Sequence, residues 1–143
     1  MSLVENRKAR FNYEILHTYE AGITLLGCEV KAVRSGQMSL DGSHITLVPA
    51  IIAVKKNGSR LTLIGATITP WQLANAPKDY SPTRARALLM KESELNDLEQ
   101  ELKQRGTTLV PLSIYKKRGL IKVEIGLVRG KKKFDKRESI KKK

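Results

Sequence analysis

Cysteine, histidine and aromatic residues are scarce in this chain, and each shortage removes a class of chemistry. Cys28 is the single cysteine, which excludes an internal disulfide framework, and nothing in the sequence around it supplies the base a reactive thiol needs. It reads as a core or core-edge residue. The two histidines, His17 and His44, lie far apart among strand-like residues, and no Cys/His spacing for zinc is present. A Gly-rich phosphate loop and a strand-turn-helix nucleophile motif are missing as well. Acids are outnumbered, 14 against 27 Lys and Arg. Glu14, Glu20, Glu29 and Asp41 form no paired set with a spacing suited to metal-assisted cleavage of a phosphodiester. Binding without turnover is therefore the default, and neither a metal nor a cofactor is expected. No apolar run approaches the ~20 residues of a spanning helix, and the first residues lack the apolar block of a secretory signal. The expectation is a cytoplasmic protein with no membrane partner.

What the chain has in excess is positive charge. Its formal net charge is +13, and the bases are gathered in patches, which points to phosphate backbones as the partner. Arg129 to Lys143 alone carries nine bases and two acids, +7 of the total. Such a segment cannot bury enough apolar surface to offset its ordering entropy, and its charges repel. It reads as a solvated arm that a polyanion would order. The other 128 residues, in a chain that is 41% hydrophobic, suffice for one domain with a real core.

Along the chain the pattern is mostly β. A short basic segment, Asn6-Arg7-Lys8-Ala9-Arg10, precedes a first strand over Phe11 to Tyr19. Gly22 breaks that run, and Ile23 to Leu26 reads as a second strand. Cys28 to Ser35 is predicted as a helix closed by Gly36, placing Lys31 and Arg34 on one outer face. Apolar β-branched runs follow at Ile45 to Val48, Ile51 to Val54 and Leu61 to Ile64, with Lys56-Asn57-Gly58 as a hairpin turn. Thr69 to Tyr80 loses periodicity and reads as a loop. Ser81-Pro82-Thr83 has the form of an N-cap with proline at the first helical position, predicting a helix over 82–91 that carries Arg84 and Arg86. A second, over 93–105, has Leu95, Leu98 and Leu102 on one stripe. Thr107 to Tyr115 and Leu120 to Val128 form a hairpin with the basic tip Lys116-Lys117-Arg118-Gly119. In its second arm Ile121, Val123, Ile125 and Leu127 alternate with Lys122 and Glu124. This much sheet with few helices favours a small closed barrel over residues 1–128, helices near 29–35, 82–91 and 93–105 outside it, and a basic tail over 129–143.

The aromatics are scattered rather than interleaved with bases, so a surface that stacks successive single-stranded bases is not indicated. Phe134 differs: inside a solvated basic run it has no core to enter and offers a face for stacking on a nucleobase. Recognition of a folded RNA by shape and backbone charge, with a tail that inserts elsewhere, is the mode this pattern favours.

Several blocks carry a resemblance. Asn6-Arg7-Lys8-Ala9-Arg10, Tyr19-Glu20-Ala21-Gly22-Ile23, Gly27-Cys28-Glu29-Val30-Lys31-Ala32-Val33-Arg34-Ser35-Gly36, Pro82-Thr83-Arg84-Ala85-Arg86-Ala87-Leu88-Leu89, and Lys122-Val123-Glu124-Ile125-Gly126-Leu127 with Gly130-Lys131-Lys132 and Asp135-Lys136-Arg137 resemble, in order, the small protein B (SmpB) family. The resemblance implies a six-stranded antiparallel Greek-key barrel, partly OB-fold-like, with no enzymatic activity. It implies binding to the tRNA-like domain of transfer-messenger RNA as a monomer on one RNA, and delivery of that RNA to stalled ribosomes for trans-translation. On it rest RNA contacts from Asn6 and Glu20, and from Leu89 and Lys91. Charge adds Arg7, Lys8, Arg10, Lys31, Arg34, Arg84, Arg86, Lys131, Lys132 and Lys133. The tail residues Phe134, Asp135, Lys136, Arg137, Ile140 and Lys141 are implied for the small-subunit decoding centre and mRNA channel.

A carboxylate facing RNA is costly against phosphates, so Glu20 would have to accept from ribose hydroxyls or base amino groups; the alternative is a capping or salt-bridged Glu. Three features depart from the family. Phe134 stands where another residue, usually His, precedes Asp-Lys-Arg. Leu47 to Lys56 looks like an insertion. The chain stops at Lys143, where family members continue into a segment that becomes helical in the mRNA channel; if that end is natural, RNA binding is expected to survive and ribosome rescue is in doubt. The competing reading is an OB-like ribosomal or ribosome-assembly protein that binds rRNA.

Overall fold

The computed structural model of the protein describes residues 2–53, 60–70 and 78–130. Among the described residues nine strands and four helices follow in the order β1 (Ser2–Glu5), α1 (Arg7–Asn12), β2 (Tyr13–Ile23), α2 (Gly27–Arg34), β3 (Met38–Ser39), β4 (His44–Leu47), α3 (Ala50–Ala53), β5 (Leu61–Ile64), β6 (Thr67–Ile68), β7 (Arg86–Leu89), α4 (Glu92–Glu101), β8 (Thr107–Lys117) and β9 (Leu120–Gly130). The main sheet runs β1-β8-β4-β5-β7-β2-β9, and β9 pairs back onto β8. Six strands thus form a closed antiparallel ring, with β1 as an extra strand on β8. The strands β4, β5 and β7, successive in the main sheet because β6 pairs with β3 outside it, lie side by side while β2, which precedes them, pairs with β7; this is a Greek-key crossing. A closed ring leaves few open edges, so most strand amides find partners within the fold.

The ring encloses the main core. Ala21, Ile45, Leu61, Leu63, Leu88, Leu109, Ile114, Val123, Ile125 and Leu127 face inward, with Ala32 and Val33 of α2 and Leu95 and Leu98 of α4 packed against the same cluster. A smaller cluster, Ala9, Val110, Leu112 and Val128, lies under α1 on the opposite face of β8 and β9. The alternation of β9 is as its sequence pattern indicates, with Val123, Ile125 and Leu127 fully buried.

Several local expectations fail for identifiable reasons. The segment over 82–91 is not a helix: Arg86–Leu89 is a strand between β2 and β5, because cross-strand pairing overrides the helix preference of its Ala and Leu residues. The predicted first strand begins instead as helix α1 and becomes extended at Tyr13. Gly22 interrupts nothing, since β2 runs straight through it to Ile23. Ala50–Ala53 is a short helix in place of the predicted strand. The ladder ends just before it, where Val48 N–H donates to Arg60 O at 2.7 Å. The helix expected over 93–105 is Glu92–Glu101, and β9 holds Arg129 and Gly130 in the sheet rather than in a tail. The Lys56-Asn57-Gly58 turn and the end of the Leu47 to Lys56 insertion lie outside the described residues.

Candidate nucleic-acid interface

Two glycine-flanking neighbours define the site. Gly22 on β2 is opposite Leu89 of β7 on one side and Lys122 of β9 on the other. Lacking a side chain, Gly22 leaves a gap between them, and a Cβ there would stand 3.5 Å from that of Leu89. The gap is the floor of a groove of about 360 Å³ lined also by Ile23, Leu25, Val30, Arg34, Gly119, Leu120 and Ile121. Leu89 and Leu120 are each 61% exposed, so the groove offers apolar walls to solvent with Arg34 and Lys122 at its rim. Apolar contact flanked by cations suits a base or sugar seated beside its own phosphate.

Lys31 and Arg34 stand exposed on α2, as predicted. Lys91 is exposed at the N-cap of α4, two residues beyond Leu89. Of these three, Arg34 lines the groove itself. Arg7 and Lys8 are exposed on α1, Lys8 within 3.7 Å of Asp41. Arg10 bridges Glu5 at 3.4 Å and Glu124 at 2.8 Å.

Asn6 is placed differently from the expectation of an RNA contact. It is buried as the N-cap of α1, its Oδ1 accepting from Ala9 N–H at 3.2 Å and its Nδ2 donating to Pro111 O at 2.8 Å. That side chain is committed to joining α1 to β8.

Arg86 also departs from the surface role expected of it. It is fully buried, and its guanidinium donates to Glu29, to Ala66 O and to Pro82 O. Glu29, equally buried, accepts as well from Arg84, from the Tyr80 hydroxyl at 2.9 Å and from Leu26 N–H at 2.8 Å. Burial opposes ionisation of this carboxyl, but the bonds from Arg84, Leu26, Arg86 and Tyr80 outweigh it and hold its pKa down at about 2. The carboxylate therefore ties α2, the 80–84 turn and β7 into one block. Of the two arginines in the cluster, Arg84 is the partly exposed one, with 28% of its side chain accessible. With no helix at 82–91, Arg84 and Arg86 gain nothing from a helix dipole.

Glu20 is exposed on β2 and spans β9 to reach β8. It accepts from the Tyr115 hydroxyl and from Lys117 Nζ at 3.2 Å. Those two bonds, Tyr115 first, lower the carboxyl pKa, while burial and the same carboxylate raise that of Tyr115. This is a salt-bridged strand Glu, a form of the alternative its sequence left open, with 39% of its side chain exposed to solvent. Sequence reasoning missed Lys122, Gly22 and Leu120 as groove residues; the alternation of Lys122 with apolar neighbours was the available signal. It also missed Glu29, whose burial no periodicity reveals. The tail residues Lys131, Lys132, Lys133, Phe134, Asp135, Lys136, Arg137, Ile140 and Lys141 lie outside the described residues. Among those described, no cluster of His, Cys, Asp and Glu could hold a metal.

Comparison with known proteins gives a consistent picture. The sequence pattern of the SmpB protein family matches residues 3–143. An SsrA-binding protein of Gloeobacter violaceus is 43% identical over 140 residues, covering 98% of this chain and 86% of its own length. That of Synechococcus elongatus is 47% identical over 138 residues, 96% of this chain and 83% of its own. A solved structure described as "tmRNA-SmpB: a journey to the center of the bacterial ribosome" is 41% identical and superposes with a TM-score of 0.67, covering 95% of this chain and 92% of that one. The chain belongs to the SmpB family.

Proposed function

We propose that this chain is the RNA-binding adaptor of trans-translation: it binds the tRNA-like domain of transfer-messenger RNA and delivers it to ribosomes stalled on truncated messages. Its similarity to SsrA-binding proteins and to an SmpB structure on the ribosome supports the reading. The observation that carries it to particular residues is the groove around Gly22, where apolar Leu89 and Leu120 meet the cationic rim of Arg34 and Lys122. Glu20, Lys31, Lys91 and Arg84 extend this surface, and Arg7, Lys8 and Arg10 add charge from α1. Asn6 and Arg86 act from within, by holding the surface in shape.

The protein works by binding, with no chemical step of its own, in the cytoplasm, as a monomer on one RNA. The basic segment from Lys131 to Lys143 serves the ribosome: Phe134, Asp135, Lys136, Arg137, Ile140 and Lys141 engage the decoding centre and vacant mRNA channel, while Lys131, Lys132 and Lys133 join body to tail along the RNA backbone.

Co-purification tests the reading. When the full chain is expressed in a bacterium and isolated at low salt, the RNA recovered with it is expected to be enriched in transfer-messenger RNA. Recovery of bulk ribosomal RNA in proportion to its abundance would support the rRNA-binding alternative instead.

A further inference from the structure

Between β8 and β9 the chain turns in two residues, Arg118 and Gly119, since Lys117 and Leu120 are paired as the last rung. Both central residues have positive φ, 53° for Arg118 and 80° for Gly119, as a type I′ turn requires. Asn-Gly is the sequence such a turn prefers, and Arg118 is the sole non-glycine residue at positive φ among the described residues. A long side chain there stores strain. Arg118 is exposed and forms no hydrogen bond or ion pair among the described residues, so nothing among them repays that strain.

Its location supplies a reason. Gly119 and Leu120, the next two residues, line the end of the groove. The hairpin stem is braced by Tyr115 and Lys117 on Glu20, which fixes the tip relative to that groove. We infer that Arg118 is a direct RNA-backbone contact, a strained cation held at the mouth of the groove to meet a phosphate next to the nucleotide seated against Leu120. Glu20 acts here as a positioning residue for the tip. The inference rests on the RNA-binding reading above.

The test is R118N in the full chain, titrated with a tRNA-like RNA at several salt concentrations and melted in parallel. Asparagine suits the turn, so Tm is expected to rise while affinity falls about tenfold at 0.1 M salt and the log-log salt slope shallows by about one. A purely structural residue would move stability and binding together. If wild type prefers the tRNA-like RNA and R118N binds it with unchanged affinity and slope, the inference is overturned. If wild type shows no preference over an unrelated duplex, the RNA-binding reading fails first.

Discussion

Glu29 shows how a single side chain can organise a surface it never reaches. One carboxylate accepts from two arginines, a tyrosine and a backbone amide, leaving the cluster with a net positive charge that surfaces at Arg84. Its folded pKa of about 2 lies below the ordinary 4.5, so the stability it confers is fully present above about pH 4.5 and is lost as pH falls toward 2. That shift corresponds to roughly 3 kcal/mol. Acid unfolding should therefore steepen in that window, and Glu29→Gln should flatten the steepening while lowering stability at neutral pH; urea melts across pH 2 to 7 would show it. The arrangement also changes how the arginines must be probed. Charge reversal at Arg84 would set two carboxylates together and confuse folding with binding. Leu89 is the cleaner probe, being 61% exposed: Leu89→Asp should leave Tm within a few degrees and weaken binding to tRNA-like RNA by tenfold or more, measured by filter binding. The burial of Glu29 and Arg86 was not legible in the sequence, because a charged residue on a helix or strand reads as solvent-facing until its partner, 57 positions away, is known.

At the level of elements, the long hairpin was legible in the sequence, and β7 was not. Ile121 to Leu127 alternates with a period of two that only a strand satisfies. Arg86–Leu89 alternates as well, Arg86 and Leu88 inward, but an inward Arg hides that period and the proline-led start imitates a helix. The β8–β9 pair makes its own prediction. Gly126 faces Leu112 so closely that a Cβ would stand 2.9 Å from Cδ1, 3.0 Å from Cγ and 3.1 Å from Cδ2. Leu112 is fully buried and has little room to yield. Gly126→Ala should destabilise the fold by about 1–3 kcal/mol, read as a lowered urea midpoint with an unchanged m-value, whereas Gly130→Ala, where a Cβ meets nothing, should not. Asn6 belongs to this scale too: the residue expected to contact nucleic acid is buried as the cap that joins helix to sheet.

Across the described residues, charge is sorted by element. Glu92–Glu101 holds five carboxylates and no Lys or Arg, and two of them, Glu92 and Glu99, clamp the buried Arg60. The cations of α1, α2 and the hairpin tip lie on other elements. Charge so divided among elements limits the orientations in which the body meets a polyanion, because the carboxylates of the acidic helix repel phosphates that the cationic elements attract. Binding of this kind releases counterions in proportion to the phosphates contacted. The central claim, that this body recognises a folded tRNA-like RNA through its groove side, is tested most directly by titrating the full chain with that RNA and with an unrelated duplex of equal length across a range of salt. One-to-one binding is predicted, with steep salt dependence for both ligands and a preference for the tRNA-like RNA that persists at 0.15 M salt and vanishes in Leu89→Asp. Equal affinity for the two RNAs at every salt concentration would contradict it.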